Sequence, residues 1–280
     1  MVGAKRTGSV VRRGFLYLLL TVVGLTFLFP FLWMIATSLK PRNELFSIPP
    51  KWIGSSFVWS NYADAWNYFP FGQFYVNSIF VAVTTTALVL ITSSMAAYSF
   101  ARIKYPGRDP LFALYLGTLM IPSQVTLIPL YIMMKTLGWI NTYWALIIPV
   151  AFTAFGTFLL RQFFLGIPVE LEESAFLEGC SRFQTFTKII LPLSVPALAS
   201  LAAFTFLGNW NSFLWPLVAT DVDAMRTIPV GLALFQTQHS VIWNLLMSAT
   251  AISIIPPLIL FIFFQRYLVE GITVSGMGGR

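Results

Sequence analysis

Residues 76–101 read VNSIFVAVTTTALVLITSSMAAYSFA and hold no charged side chain over 26 positions. A helix that rises 1.5 Å per residue needs about 20 residues to cross roughly 30 Å of hydrocarbon. Lipid offers no partner for free backbone N–H and C=O groups, so such a segment is expected to cross as a helix. The stretch therefore predicts a membrane-spanning helix.

Five further windows of the chain also lack charge. They are 14–39, 111–134, 142–160, 194–219 and 243–264. A charge at mid-membrane costs about 2.5–3.5 kcal/mol on insertion scales, so the absence of charge is informative. The first window exceeds the apolar core of a signal peptide, which is about 7–15 residues long, and is expected to be uncleaved. The pattern predicts an all-α integral membrane protein with six transmembrane helices in a single domain over 1–280.

The composition agrees with this class. Hydrophobic residues make up 57% of the chain and charged residues 10%, against about 45–50% and 25% in soluble domains. This composition disfavours a soluble domain and excludes a disordered chain. Cys180 and His239 are the only residues of their types, so we expect no disulfide framework, no metal site and no catalytic residues.

Lysine and arginine are unevenly shared between the two sides of the membrane. With the N-terminus inside, the inner side carries twelve of them: Lys5, Arg6, Arg12, Arg13, Arg102, Lys104, Arg108, Arg161, Arg182, Lys188, Arg266 and Arg280. The outer side carries five: Lys40, Arg42, Lys51, Lys135 and Arg226. Inner loops are the basic ones, so both termini are expected in the cytoplasm. Topology then explains the net charge of +7 without a nucleic-acid partner.

Two long connections are expected outside, over 40–75 and 220–242. The first is rich in Pro, Trp and Tyr, which suits the membrane interface. The second is moderately apolar, but Pro229 and charged residues interrupt it. An exposed apolar loop either docks another protein or packs on its own helices, and the sequence leaves both alternatives open.

The longest inner connection, 161–193, has an unusual pattern. Pro168 suits a first helical turn, and three glutamates follow where the helix dipole favours acids. Gly179 ends this short helix, and a second apolar stripe begins at Phe183. A helix lying on anionic lipid would be basic, whereas this one is acidic. We therefore expect a cytoplasmic helix–Gly–helix element that contacts a protein partner.

This element resembles the EAA loop of bacterial ATP-binding-cassette (ABC) importer permeases, here spanning 166–198. The resemblance rests on Glu173-Ser-Ala, Glu178-Gly-Cys, Leu191-Pro-Leu and Pro196. Ser174, Glu178 and Cys180 replace the family's usual Ala, Asp and Ala, and all three changes are mild.

Further motifs narrow the resemblance to six-span permeases of the maltose-transporter type. They are AAYSFAR at 96–102, MIPSQVTLIP at 120–129, NWNSF at 209–213 and FQRYLVEG at 264–271. Two positions depart from the family: Ser212 stands where Glu is frequent, and Gly278 where Lys is usual.

The resemblance implies a subunit of a binding-protein-dependent sugar importer in the bacterial cytoplasmic (inner) membrane. Its expected partners are a homologous second permease subunit, two ATP-binding-cassette ATPase subunits, an extracytoplasmic sugar-binding protein and membrane lipid. The sequence has no Gly-x-x-x-x-Gly-Lys-Ser/Thr loop to hold phosphates. We therefore expect no cofactor on this chain and ATP hydrolysis by a separate subunit.

The resemblance also assigns roles to residues. ATPase coupling is expected at Glu173, Ser174, Ala175, Glu178, Gly179 and Phe183. Contact with the binding protein is expected at Phe235, Gln236, Thr237 and Gln238. The polar cluster Asn209, Trp210, Asn211 and Ser212 either lines the substrate path or serves packing between helices, and the pattern favours packing.

Three alternatives stay open with decreasing weight. One is an ABC importer permease for a polyol or glycerol phosphate. A secondary transporter would usually place ionisable residues within the spans, and a membrane enzyme would need an acid–base, nucleophilic or metal cluster. Neither of the last two patterns is found in the six windows.

Overall fold

The computed structural model describes residues 3–236 and 241–277, and the side chains of 12–236 and 241–266. The described residues are helical and contain no β-strand, with one isolated antiparallel bridge between Gln236 and Val241. The α-helices in chain order are α1 Gly3–Ser38, α2 Ser60–Tyr68, α3 Phe71–Arg102, α4 Arg108–Gly117, α5 Ser123–Thr136, α6 Tyr143–Ile147, α7 Ala154–Leu165, α8 Glu170–Leu177, α9 Arg182–Thr185, α10 Leu191–Leu193, α11 Val195–Trp210, α12 Leu214–Ala219, α13 Ile228–Ala233, α14 Trp243–Ser253 and α15 Ile255–Met277. Short 3₁₀ turns occupy Arg42–Glu44, Thr118–Met120, Ile148–Val150 and Asp223–Met225, and a π-helical stretch occupies Phe186–Ile190.

Three segments of the described chain are long and apolar enough to cross a membrane as they stand: Arg12–Ser38, Phe71–Arg102 and Trp243–Arg266. Three bent pairs pass the same test only when both arms are taken together. They are Arg108–Met120 with Ser123–Thr136 (96°), Tyr143–Val150 with Ala154–Leu165 (42°) and Arg182–Leu193 with Val195–Trp210 (77°). The described residues therefore offer three to six candidate spans.

Two of the bends, after Met120 and after Val150, fall inside the windows 111–134 and 142–160 that the charge pattern treats as continuous. Ile121, which precedes Pro122, has extended backbone at φ −84° and ψ 115°, because the ring of a following proline disfavours the helical region. The predicted span 194–219 also ends early, since α11 stops at Trp210 and α12 begins at Leu214. Windows without charge locate apolar segments, but they do not show where those segments break.

The chain separates into two compact units, of which the first contains the described parts of Met1–Phe69 and Leu232–Ser253. Asn61 is buried here and joins three segments. Its Nδ2 donates to the carbonyls of Ser38 (2.8 Å) and Lys40 (3.1 Å), and its Oδ1 accepts from Asn244 Nδ2 (3.0 Å). Ser248 Oγ also donates to the Ser38 carbonyl at 3.2 Å. These bonds hold the end of α1 against α2 and α14.

The second unit contains Pro70–Gly231 and the described part of Ile254–Arg280. In it α3 packs against α7 and α11, and α11 packs against α15. One apolar cluster lies along the C-terminal half of α3: Val89, Ala97, Tyr98, Ala101, Leu160, Phe164, Ile167, Phe186, Ile190, Ala197 and Leu201. A second lies near its N-terminal half: Val81, Met134, Ala145, Leu146, Ile147 and Ala219. The first cluster includes Ile167, Phe186, Ile190 and Ala197 of the 166–198 segment, so it packs this segment against α3 and α7.

Candidate functional site

The 166–198 segment begins with the short helix α8. Glu170, Glu172 and Glu173 stand in its first turn, where carboxylates stabilise the free N–H groups and the positive end of the helix dipole. At the other end, Gly179 N–H donates to the Phe176 carbonyl (3.0 Å) and Cys180 N–H to the Ala175 carbonyl (2.9 Å). This pair of bonds is a Schellman motif. Gly179 has φ +86°, a conformation that disfavours other L-residues.

A second turn follows at once. The Ser181 side chain accepts from Gln184 N–H (3.3 Å), and the Gln184 side chain accepts from Ser181 N–H (2.7 Å). This reciprocal capping box fixes the start of α9. The chain continues through the π-helical stretch and α10, and α11 begins after Ser194. The predicted helix–Gly–helix element is therefore an ordered structure with defined caps.

Most of the predicted coupling residues lie on the surface of this element. Glu173, Ser174, Glu178, Gly179 and Phe183 are exposed, whereas Ala175 is only 4% exposed and packs inward. Leu177 and Phe183 are 90% and 69% exposed. The large apolar side chains of Leu177 and Phe183 thus stand beside the exposed acids Glu173 and Glu178. These residues form the tip of the element, and such a mixed surface is typical of a protein interface.

Glu172 is a buried acid of α8 that the sequence pattern did not single out. It is 4% exposed, and its Oε1 lies 2.7 Å from Arg102 Nε. The contact is an ion pair by distance, without the alignment of a hydrogen bond. Tyr98 Oη donates to Glu172 Oε2 at 3.2 Å. The available signal was the i, i+3 spacing of Glu172 and Ala175, which puts the carboxylate on the inward face.

Arg102 also binds the end of α7. Its Nη2 donates to the Phe164 carbonyl at 2.6 Å and to the Ile167 carbonyl. The Phe164 carbonyl also accepts from Ile167 N–H at 3.1 Å, and a cation is favoured at this negative end of the helix. One guanidinium therefore joins the ends of α3 and α7 to the first turn of α8.

The polar cluster 209–212 lies where α11 ends. Asn209 Nδ2 donates to the Thr205 carbonyl (2.8 Å) and Asn211 Nδ2 to the Leu207 carbonyl (2.9 Å). Both amides therefore bond to their own helix. Trp210 is buried, stacks on Phe206 and meets Tyr75 edge to face, while Asn211 is exposed and Ser212 half-buried.

The start of the 220–242 connection is fastened to the second unit. Buried Asn77 donates to the carbonyls of Ala224 and Arg226, both at 2.9 Å, and accepts from Gln73 (2.9 Å) and Tyr143 (2.7 Å). All four bonds available to an asparagine side chain are made here. The segment is held at its base by a saturated polar network.

The later part of this connection belongs to the first unit. Phe235 is fully buried and contacts the rings of Tyr68 and Phe69, whereas Gln236 is exposed. Thr237 and Gln238, also predicted to contact a binding protein, lie outside the described residues.

No metal centre is found in the part of the chain that is described. Within it, no group of three or more His, Cys, Asp or Glu side chains is placed to hold an ion.

Comparison with known proteins gives a consistent result. A sequence profile described as "Binding-protein-dependent transport system inner membrane component" matches residues 90–274. The trehalose/maltose transport system permease protein MalG of Thermococcus litoralis is 38% identical over 285 residues, covering 97% of this chain and 99% of the relative. The arabinooligosaccharides transport system permease protein AraQ of Halalkalibacterium halodurans is 36% identical over 271 residues, covering 93% and 96%.

The fold is also similar to that of a solved structure. A chain from the crystal structure of a bacterial ABC transporter involved in the import of the acidic polysaccharide alginate matches with a TM-score of 0.81. The match covers 95% of this chain and 98% of that chain at 22% identity.

Proposed function

This chain belongs to the family of binding-protein-dependent transport system inner membrane components, and from that premise we propose that it forms half of the translocation pathway of an ATP-driven carbohydrate importer. Two relatives that align with nearly the whole chain carry oligosaccharides, according to their names. Their similarity supports a sugar over a polyol or a glycerol phosphate as the cargo. The transport subunit itself hydrolyses nothing, and a separate ATPase supplies the energy.

We propose six spans, in which each bent pair crosses once, within a single permease domain over 1–280. The three unbroken helices and three bent pairs support this number. The twelve-to-five distribution of Lys and Arg supports cytoplasmic termini. This topology puts the 166–198 segment inside and the 220–242 connection outside.

The 166–198 segment is proposed as the coupling loop that sits in a cleft of an ATPase subunit. Its exposed tip supports this role, because acids and apolar side chains stand together there on a capped, ordered scaffold. Glu173 would pair with a basic residue of the ATPase, and the apolar tip residues Leu177 and Phe183 would enter the cleft. Ser174, Glu178 and Gly179 complete the exposed surface, and Ala175 holds α8 against its own core.

The outer surface is proposed to receive the binding protein. Gln236, with Thr237 and Gln238, would contact it, while buried Phe235 anchors this part of the connection. Asn209, Asn211 and Ser212 are proposed as polar groups beside the substrate path, with Trp210 as the buried support of the α11 end. A second permease subunit would complete the pathway, with two ATPase subunits beneath the pair.

The proposal depends most on one observation: the 166–198 segment of this permease-family chain exposes acidic and apolar side chains together at its tip. The test substitutes Glu173→Lys and measures how much ATPase subunit co-purifies with the chain from membranes. The substitution should strongly reduce co-purification while the amount of chain in the membrane stays normal. Asp64→Lys is the matched control, because Asp64 is also an exposed helical acid. If the Glu173 variant and the control recovered equal amounts of ATPase subunit, the docking role of Glu173 would be contradicted.

A further inference from the structure

The first turn of α8 carries two adjacent acids with opposite environments. Glu173 is exposed and available to a partner, whereas Glu172 faces the chain's own interior. The Arg102 and Glu172 side chains are only 9% and 6% exposed. A docked subunit cannot reach this pair, so the pair has no part in docking and needs another explanation.

Burial of two charges is a poor way to gain stability. Desolvation opposes the attraction between them, and apolar replacements of such pairs are often as stable or more stable. In some proteins a buried polar or ionic contact fixes the register of the packed elements rather than adding stability. The Arg102–Glu172 pair is therefore better explained by the position that it enforces than by its contribution to the free energy of unfolding.

The contacts of the pair define which elements move together. Arg102 ends α3 and binds the Phe164 carbonyl in the last turn of α7, and Glu172 belongs to the first turn of α8. Tyr98, one turn earlier on α3, donates to the same carboxylate and packs its ring 5.0 Å from that of Phe186, centroid to centroid. A displacement of α8 thus acts directly on the ends of α3 and α7.

We propose that Arg102 and Glu172 form a positioning pair that transmits the movement of α8 into α3 and α7. This inference rests on the proposed function, because the movement is that of a coupling loop held by an ATPase. Glu173 and its exposed neighbours then serve attachment, while Glu172 serves transmission. Variants of Glu173 should therefore weaken ATPase docking, whereas variants of Glu172 should weaken coupling without loss of docking.

The experiment uses the complete complex in proteoliposomes, with three variants of this chain. Glu172→Gln removes the ion pair. The double variant Arg102→Gln with Glu172→Gln also removes the unpaired buried cation, so it separates a folding defect from a transmission defect. Glu170→Gln is the matched control, because Glu170 lies in the same first turn but is exposed. The readouts are ATPase subunit co-purified with the chain, and ATP hydrolysis with and without the binding protein.

Both Glu172 variants should retain the ATPase subunit and basal hydrolysis. Their stimulation by binding protein should fall roughly two- to thirtyfold, the range for changes along a coupling network. Weaker contact between α8 and the ends of α3 and α7 should reduce how strongly the binding protein at the outer face stimulates the ATPase. The control should behave as the wild type.

Two results would overturn the proposal. One is full stimulation by binding protein in the double variant. The other is loss of the ATPase subunit from the double variant, which would make the pair a determinant of folding or docking. If the wild-type chain itself recovered no ATPase subunit, the proposed function would fail instead, and the two failures are distinguishable.

Discussion

Gly156 on α7 packs closely against side chains of α3 and α11. A Cβ at this position would lie 2.6 Å from Ser93 Oγ, 2.9 Å from Thr153 Cγ2 and 3.2 Å from Leu201 Cδ2. Favourable carbon contacts begin near 3.5 Å, so Gly156→Ala forces helices or rotamers to move. Overpacking of this kind costs about 1–3 kcal/mol.

Helix propensity acts in the opposite direction, because Ala is better than Gly by about 1 kcal/mol within a helix. Gly208 on α11 provides the matched control, since a Cβ there meets nothing within 4 Å. The propensity gain is common to both variants. The difference in unfolding free energy between Gly156→Ala and Gly208→Ala therefore isolates the steric effect, expected at about 1–3 kcal/mol.

Ser93 offers an internal check on that number. Its Oγ is buried and has no hydrogen-bond partner among the described residues, so Ser93→Ala should be nearly neutral. Combined with Gly156→Ala, it removes the nearest clash and should restore about 0.5 kcal/mol or more, the lower range for contacting residues. Equilibrium unfolding in mixed detergent–SDS micelles, followed by circular dichroism, measures all four variants. Equal stability of the two glycine variants would refute the packing of α3, α7 and α11.

Three other predictions test separate parts of the structure. Gly179→Ala should destabilise the left-handed turn after α8 by about 1–2 kcal/mol. Trypsin should then cleave faster after Arg182, and an unchanged cleavage rate would contradict the left-handed turn. Asn77→Ala should lower the free energy of unfolding by about 1–3 kcal/mol, because buried partners lose their bonds, while exposed Asn67→Ala should change it little. The pKa of Glu44 lies below its ordinary 4.5, because the Ser55 side chain and N–H bond to it and Lys51 lies nearby. The Glu44 carboxylate therefore stabilises its loop above pH 4.5, and this stabilisation is lost as the pH falls through the lowered pKa. Tryptophan fluorescence should show an acid transition in the wild type that is absent from Glu44→Gln.

The sequence was informative where one-dimensional patterns determine structure. Absence of charge located the apolar segments, and the acid-rich turn followed by Gly179 predicted a short helix that ends at this glycine, as α8 does. The left-handed conformation of Gly179, at φ +86°, was not part of that prediction. The family resemblance is confirmed by the profile match and by relatives that cover nearly the whole chain. These features depend on spacing and local backbone preference, which a single chain displays directly.

Other features depend on contacts between distant residues. Arg102 and Glu172 are 70 positions apart, and no local pattern pairs them. Asn77 reaches Ala224 and Arg226 across 147 and 149 positions. The amides of Asn209 and Asn211 donate to carbonyls of α11, and the polar pattern of 209–212 did not specify these acceptors. Such choices follow from tertiary geometry, which spacing alone does not contain.

Transport by the reconstituted complex is the decisive test of whether this chain is part of an ATP-driven sugar importer. Proteoliposomes would contain this chain, its partner permease and the ATPase subunits, with ATP trapped inside and binding protein with a panel of radiolabelled oligosaccharides outside. A binding-protein-dependent importer should accumulate one of these sugars only when ATP and binding protein are both present. Accumulation without nucleotide, or by vesicles that hold this chain alone, would contradict it.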